Sequence, residues 1–322
     1  MARNTNLQDA LFPVGFVDIF IDGMTDGEPF KPVKIPVDKY QAIINQDNGD
    51  ILCVVTKDYK LITNEQALEF GKECYKRVFN INDTKNFEVF NIVTSSTKTI
   101  CHIDVIQKGY EINIYKQEVY IPYVRITNSY NRTRALSFDL GFCRKLCDNG
   151  VIFEKETIKF SFYHTKQIIK EVEFKILPNK LETLKNKFIE YSKKLSECPV
   201  PNEKAIPLMC KIMDIKFNLE KKGKELEKEK RRRNEFKARA DRLIKSYYGQ
   251  SGDNAYSVFN ACTDYATYSK DGNVNFFADG LQRKIGNWVE SFSEERKKGN
   301  FSLENHIGEY GKYLNCNCQG DR

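Results

Sequence analysis

Between Phe87 and Phe162 the chain alternates apolar and polar positions in short runs rich in β-branched and aromatic residues. FEVFNIVTS, KTICHIDVIQ, YEINIYKQ, VYIPYVRITN and RALSFDL each read as a strand, and ETIKFSFYHT reads as the last of them. Gly109, Asn131 and Asn149–Gly150 supply the punctuation, with Asn149–Gly150 suited to a tight type I′ turn. After His164 the period changes from two to 3.6. KQIIKEVEFKI and KLETLKNKFIEYSKKL are helical patterns separated by Pro178, and Pro199, Pro201 and Pro207 mark a second joint. Leu208 to Tyr248 reads as one long helix or two. NAYSVFNACTDYATYS and LQRKIGNWVESF read as two more, with Trp288 as a packing anchor in the second.

Before Phe87 the pattern is mixed. Residues 1–50 read as irregular, with Pro29, Pro32 and Pro36 suggesting an extended edge segment. ILCVVTKDYKLI reads as a strand, a turn at Lys57–Asp58 and a second short strand. Asn64 is a candidate N-cap for a helix running from Glu65 to about Val78. The expected fold is therefore α+β, a mostly antiparallel sheet packed with helices and followed by a helical C-terminal region. The expected division is a β-rich domain over 1–165 and a helical region over 166–322, packed on the first.

Composition narrows the classes. Of 322 residues, 41% are hydrophobic and 12% aromatic, enough for a core and against wholesale disorder. No apolar run reaches the roughly 18 residues of a membrane helix. The first residues lack the apolar core of a signal peptide. These features point to a soluble cytoplasmic protein, with no membrane partner. The ten cysteines are scattered over the chain, which fits reduced, partly buried thiols better than a disulfide scaffold. The net charge is +7, and Lys221–Lys245 alone holds 12 Lys/Arg against 5 Asp/Glu. So localised a positive field points to an anionic partner.

Several segments together resemble the family named domain of unknown function 932, found on phages and plasmids. VTKDYKLITNEQALEF resembles its early strand–Tyr–Asn–helix motif, and VRITNSY its central strand end. FCRKLCDNGVI resembles its basic segment, Tyr163–His164–Thr165 its short His-Thr motif, and SVFNACTDYATY its C-terminal helix. The match runs in order from about Tyr40 to Tyr268, and departs from the family pattern at Tyr130, where histidine is expected. The resemblance implies a mobile-element setting, hence a role near DNA. The order of sheet then long helix is also similar, by topology alone, to single-strand annealing proteins of recombination, which often form rings.

The candidate chemistry follows from cations set among aromatics. In YVRITN, alternation puts Tyr123, Arg125 and Thr127 on one face and Val124 and Ile126 on the other. An open polar face there would offer a stacking ring beside a guanidinium, the combination that strand binding uses. Arg132, Arg134, Arg144 and Lys145 would extend it, with Tyr130 as a second stacking group. Lys230, Arg231, Arg232 and Arg233, with Tyr247 and Tyr248 nearby, would add non-specific affinity. The alternative for all of these is a solvated or salt-bridged surface, such as i,i+4 pairs along the helix.

Zinc ligation by Cys143-x3-Cys147 or Cys316-x-Cys318 lacks matched pairs, and His102, His164 and His306 are not at paired spacing. No nucleotide-binding loop, nucleophile elbow or zincin motif is present. The sequence reading is thus sequence-independent binding of single-stranded nucleic acid, DNA in the mobile-element setting. Strand annealing, a homo-oligomer and the absence of a cofactor go with it. Two alternatives stand beside it: a protein-interaction module engaging an acidic partner, and a metal-dependent nuclease using Asp139, Asp148 and His164.

Overall fold

The computed structural model describes residues 6–24, 32–116, 118–146, 149–153, 160–162, 180–268 and 278–311. The fold is α+β with antiparallel pairing throughout, and helices occupy the C-terminal part of the chain. The chain forms two compact units. The first gathers Met1–Tyr110, Tyr123–Leu140 and Ile158–Lys180, the second Glu111–Pro122, Gly141–Thr157 and Leu181–Arg322. This differs from a single boundary after residue 165. The long strands β7 (Glu118–Ser129) and β8 (Leu136–Arg144) each run from one unit into the other, so the units are not consecutive in sequence.

In the first unit, β1 (Val14–Met24), β2 (Pro32–Asn45) and β3 (Ile51–Thr56) form a sheet in the order β1-β2-β3. The expected irregular N-terminal segment is therefore two long strands, because prolines are tolerated where a strand edge needs no donor. After a helical turn, α1 (Leu7–Ala10), this sheet closes a small core of Phe12, Ile43, Leu52, Val55 and Tyr130. The other strands of the unit are β4 (Phe87–Thr94), β5 (Ile100–Gln107) and β10 (Phe160–Phe162), ordered β10-β8-β7-β5-β4 with the first-unit parts of β7 and β8.

Helix α2 (Asn64–Val78) lies against this sheet. Its cap is Thr63, not Asn64. The Thr63 hydroxyl accepts from Gln66 N at 3.1 Å and the Gln66 side chain accepts from Thr63 N at 3.0 Å, a reciprocal box that satisfies two orphan helix donors. Asn64, one step later, turns inward instead. Gly71 permits the close approach of α2 to β7, since a Cβ there would fall 2.1 Å from Ile126 Cδ1.

In the second unit, β6 (Ile112–Tyr115) pairs with the start of β7, and β9 (Asn149–Ile152) with the end of β8. Arg144 opposes Asn149, so Asn149–Gly150 begins β9. The expected tight turn centred on Asn149–Gly150 is therefore not formed, since both residues pair in the ladder with β8. The helices are α3 (Lys180–Ser196), α4 (Asn202–Met213), α5 (Gly223–Ser251), α6 (Ala255–Thr267), α7 (Ala278–Lys297) and the short α8 (Leu303–Ile307). Pro207, expected at a joint, sits inside α4, where its missing N–H leaves the residue 203 carbonyl without its helical donor. Phe188 of α3 centres an aromatic core with Tyr120, Phe142, Phe153 and Phe259, ring centroids 5.0–6.2 Å away. Trp288 anchors α7 as expected, its indole N–H donating to His306 Nε2 at 2.9 Å. The expected helix at KQIIKEVEFKI lies outside the described residues.

Candidate nucleic-acid interface

Arg125 sits mid-strand in β7, directly opposite Asp104 of β5. Its Nε and Nη2 donate to the two Asp104 oxygens at 2.7 and 2.8 Å, a two-pronged ion pair with little freedom to hold another anion. Asn91 Nδ2 donates to the same carboxylate at 3.2 Å. Two residues along, the Thr127 hydroxyl meets His102 Nδ1 at 2.9 Å. Alternation assigned the faces of β7 correctly, but both faces are covered. Tyr123 and Arg125 are as buried as Val124 and Ile126. The expected open stripe on this strand is therefore absent. Tyr123 lies with its ring centroid 5.5 Å from the Arg125 guanidinium carbon, stacked on its own neighbour.

Tyr130 is buried too, at the end of β7. Its phenol oxygen accepts from Asn64 N at 2.9 Å. Asn128 Nδ2 donates to Asn64 Oδ1 at 2.9 Å and to the Ile62 carbonyl at 3.0 Å, and Asn64 Nδ2 donates to the Ala10 carbonyl at 2.7 Å. The two motifs ITN and TNSY thus form one buried clip that ties the start of α2 to the end of β7. Burial pushes the Tyr130 phenol well above its ordinary range, which keeps it neutral.

The second unit repeats this use of polar residues. Arg144, 4% exposed, donates to Glu118 Oε1 at 2.8 Å and to Gln250 Oε1 at 3.3 Å. Tyr256 donates to the other Glu118 oxygen at 2.6 Å and meets the Tyr120 hydroxyl at 3.1 Å; Tyr120 in turn donates to Asn260 Oδ1. Burial and the adjacent Glu118 carboxylate hold the Tyr256 phenol protonated. Asn149 Nδ2 donates to the Tyr247 hydroxyl at 2.8 Å, which donates to Asp264 at 3.1 Å, and Gly150 N donates to the Thr267 hydroxyl. The segments FCRKLCDNGVI and SVFNACTDYATY are therefore joined to each other. Tyr248 is half-buried with its hydroxyl on the Val200 carbonyl, so neither Tyr247 nor Tyr248 is an open stacking group.

The remaining expected cations are at the surface. Arg132 and Arg134 are exposed on the β7–β8 connection, where Arg132 takes φ 61° and the Asn131 side chain accepts from Thr133 N. Lys145 pairs with Glu111 at 2.6 Å. On α5, Lys230 pairs with Glu227, and Arg231 lies 3.8 Å from Glu235. Arg232 bonds Glu229 and stacks over Phe217, and Arg233 is half-buried. These four consecutive residues point to different sides of the helix, as a 100° step requires.

The surface that does form is a row of which the sequence reading named Arg231 alone. Phe236, Ala240, Ile244 and Tyr247 bury one face of α5. Opposite them run Lys224, Lys228, Arg231, Glu235, Ala238, Arg242 and Lys245, all exposed and spaced by three and four. Among the described residues Lys224, Lys228, Arg242 and Lys245 make no salt bridge. From Lys224 to Lys245 the row spans about 32 Å at 1.5 Å per residue. Its spacing was available in the sequence.

Of the nuclease trio, Asp139 is fully buried beside Ser137, and Asp148 and His164 lie outside the described residues, as do Cys147, Cys316 and Cys318. Cys143 is buried and in no disulfide. Among the described residues no three His, Cys, Asp or Glu side chains gather as a metal site, and no helix is long and apolar enough to cross a membrane.

This is an α+β protein in which Arg125 and Arg144 are internal ties and a row of exposed cations lies along α5. A family model described as Domain of unknown function (DUF932) matches residues 51–287, and the chain belongs to that family. No curated protein and no solved structure matches the chain.

Proposed function

We propose that this protein binds nucleic acid without regard to sequence, through phosphates laid along α5, with single-stranded DNA as its ligand and strand annealing as the activity such binding would serve. The observation that carries the reading is the outward row of Lys224, Lys228, Arg231, Arg242 and Lys245. It is long, exposed and mostly unneutralised. A regular row of cations releases condensed counterions when it replaces them on a phosphate chain. Arg132 and Arg134 are further exposed cations, while Tyr123 and Tyr130 are withdrawn from the interface by burial. The contacts supported are thus backbone contacts, which position a strand but do not read it.

The test is fluorescence anisotropy with labelled single- and double-stranded oligonucleotides over a salt series. With five phosphates neutralised, a single strand should give a slope of log K against log salt of about −3.5. Reversing Lys228 and Arg242 to Glu should reduce that slope by about 1.4 and weaken binding roughly tenfold or more at low salt. An unchanged slope would remove α5 from the interface. Absence of binding by the wild type at low ionic strength would overturn the nucleic-acid reading itself.

A further inference from the structure

Among the described residues, ten large hydrophobic side chains are exposed, and nine of them lie in β1–β3. They are Phe16, Val17, Phe20, Ile21, Val33, Ile35, Tyr40, Ile51 and Val54. An antiparallel sheet that meets water on one face normally presents polar residues there. This one does not. Ile43 and Val55 fill the core side. On the opposite side Val17 faces Ala42, Ala42 faces Val54, Ile44 faces Ile51, and Tyr40 shares their face two residues before Ala42.

Beyond the register shift at Asp18/Phe20, β1 and β2 continue as a two-stranded arm. There Ile21 stands opposite Ile35, and Ile35 Cδ1 fills the place a side chain on Gly23 would take. A two-stranded ribbon of this kind is marginal in water on its own. Among the described residues β1 is the edge of the strand order β1-β2-β3, and an edge strand presents backbone donors and acceptors for pairing. β1 and β2 lie outside the segment shared with the family, which begins at residue 51.

We propose that this surface is the interface for a second copy of the same chain, the sheet faces stacking and the arms completing the contact. Three observations select that partner. Phe16 stands opposite Ile43 and shares its face, and Phe20 points away from Ile21; the other seven side chains, each 38–68% exposed, offer roughly 450–550 Å² of mainly apolar surface, to which a polar rim would add toward the ~800 Å² per partner of a standard interface. An apolar sheet face needs a second layer, and two-fold stacking of identical sheets supplies one with the same chemistry. The charges on the two strands are of both signs, with Asp22 opposite Lys34 and Asp18 paired to Lys57, so the patch selects neither a strongly acidic nor a strongly basic partner. This pairing is independent of nucleic acid and, being apolar, persists at high salt.

Sedimentation velocity of the full chain in high salt, without nucleic acid, tests it. The wild type is expected to dimerise well below roughly 100 µM. The pair Val17→Lys with Val54→Lys, both at exposed positions, should raise the dimer dissociation constant at least about 100-fold while leaving the circular dichroism spectrum unchanged. A wild type that stays monomeric to roughly 100 µM overturns the proposal and assigns the patch to a different partner. So does a folded variant that dimerises as the wild type does. If the variant fails to fold, hydrogen exchange of the wild type at two concentrations decides. Concentration-dependent protection confined to β1–β3 supports the dimer, and unchanged protection overturns it.

Discussion

Arg125 and Lys228 are both cations inside the family-matched part of the chain, yet they have opposite fates. Arg125 is locked on a central strand to Asp104, with Asn91 completing the carboxylate and Tyr123 lying over the guanidinium. Arg144 is held the same way by Glu118 and Gln250 in the other unit. Lys228, like Lys224, Arg242 and Lys245, faces outward and makes no salt bridge among the described residues. A strand covered on both faces converts every charged side chain into an internal tie, because a buried charge must be paired. A helix covered on one face leaves the other to solvent, and charge there stays available for a ligand.

The largest expected effect is at the buried end of that comparison. Arg125→Ala leaves the Asp104 carboxylate buried without its partner and should cost about 3–5 kcal/mol in urea denaturation. Replacing the pair together, Asp104→Leu with Arg125→Met, should recover most of that loss, since well-packed apolar residues often substitute for a buried ion pair at little cost. If Arg125→Ala is nearly neutral, the division between buried ties and exposed cations fails. An intermediate effect is expected for Tyr130→Phe. It leaves Asn64 N–H without its acceptor inside the clip, for a loss of about 1–3 kcal/mol. The smallest is at the exposed end. Lys228→Ala with Arg242→Ala should change stability by no more than about 0.5 kcal/mol. A large loss there would mean that the outward row holds the fold rather than a ligand.

Much of the local structure was legible. The strands from β4 to β8 follow their alternation, and α3, α6 and α7 follow their 3.6-residue period. Even the cap of α2 was present as Thr63-x-x-Gln66; reading Asn64 as the cap passed over the reciprocal pair one residue earlier. The site was less legible, for a physical reason. Period-two alternation states which residues share a face but not whether that face is covered. For Tyr123 and Arg125 the cover decides the function of the side chain. The partners of Arg144 and Tyr130 lie 26, 106 and 66 residues away in sequence, at Glu118, Gln250 and Asn64, so no local pattern marks them. The Asn149–Gly150 pair shows the same limit. Its type permits a turn, yet pairing with Cys143 and Arg144 places it in a strand, and Asn149 and Gly150 donate to Tyr247 and Thr267.

The apolar character of β1 and β2 was readable as composition, in LFPVGFVDIFI above all, and alone it suggests a buried segment. Only the assembled sheet shows that one face is filled by Ile43 and Val55 while the other stays open. The sequence by itself determined the α+β class, the family motifs, the concentration of positive charge in one helix and the period that sorts that helix into faces. These depend on near neighbours and on composition. Tertiary structure alone decided which charges are ties and which are free, because burial depends on what the rest of the chain places over a residue.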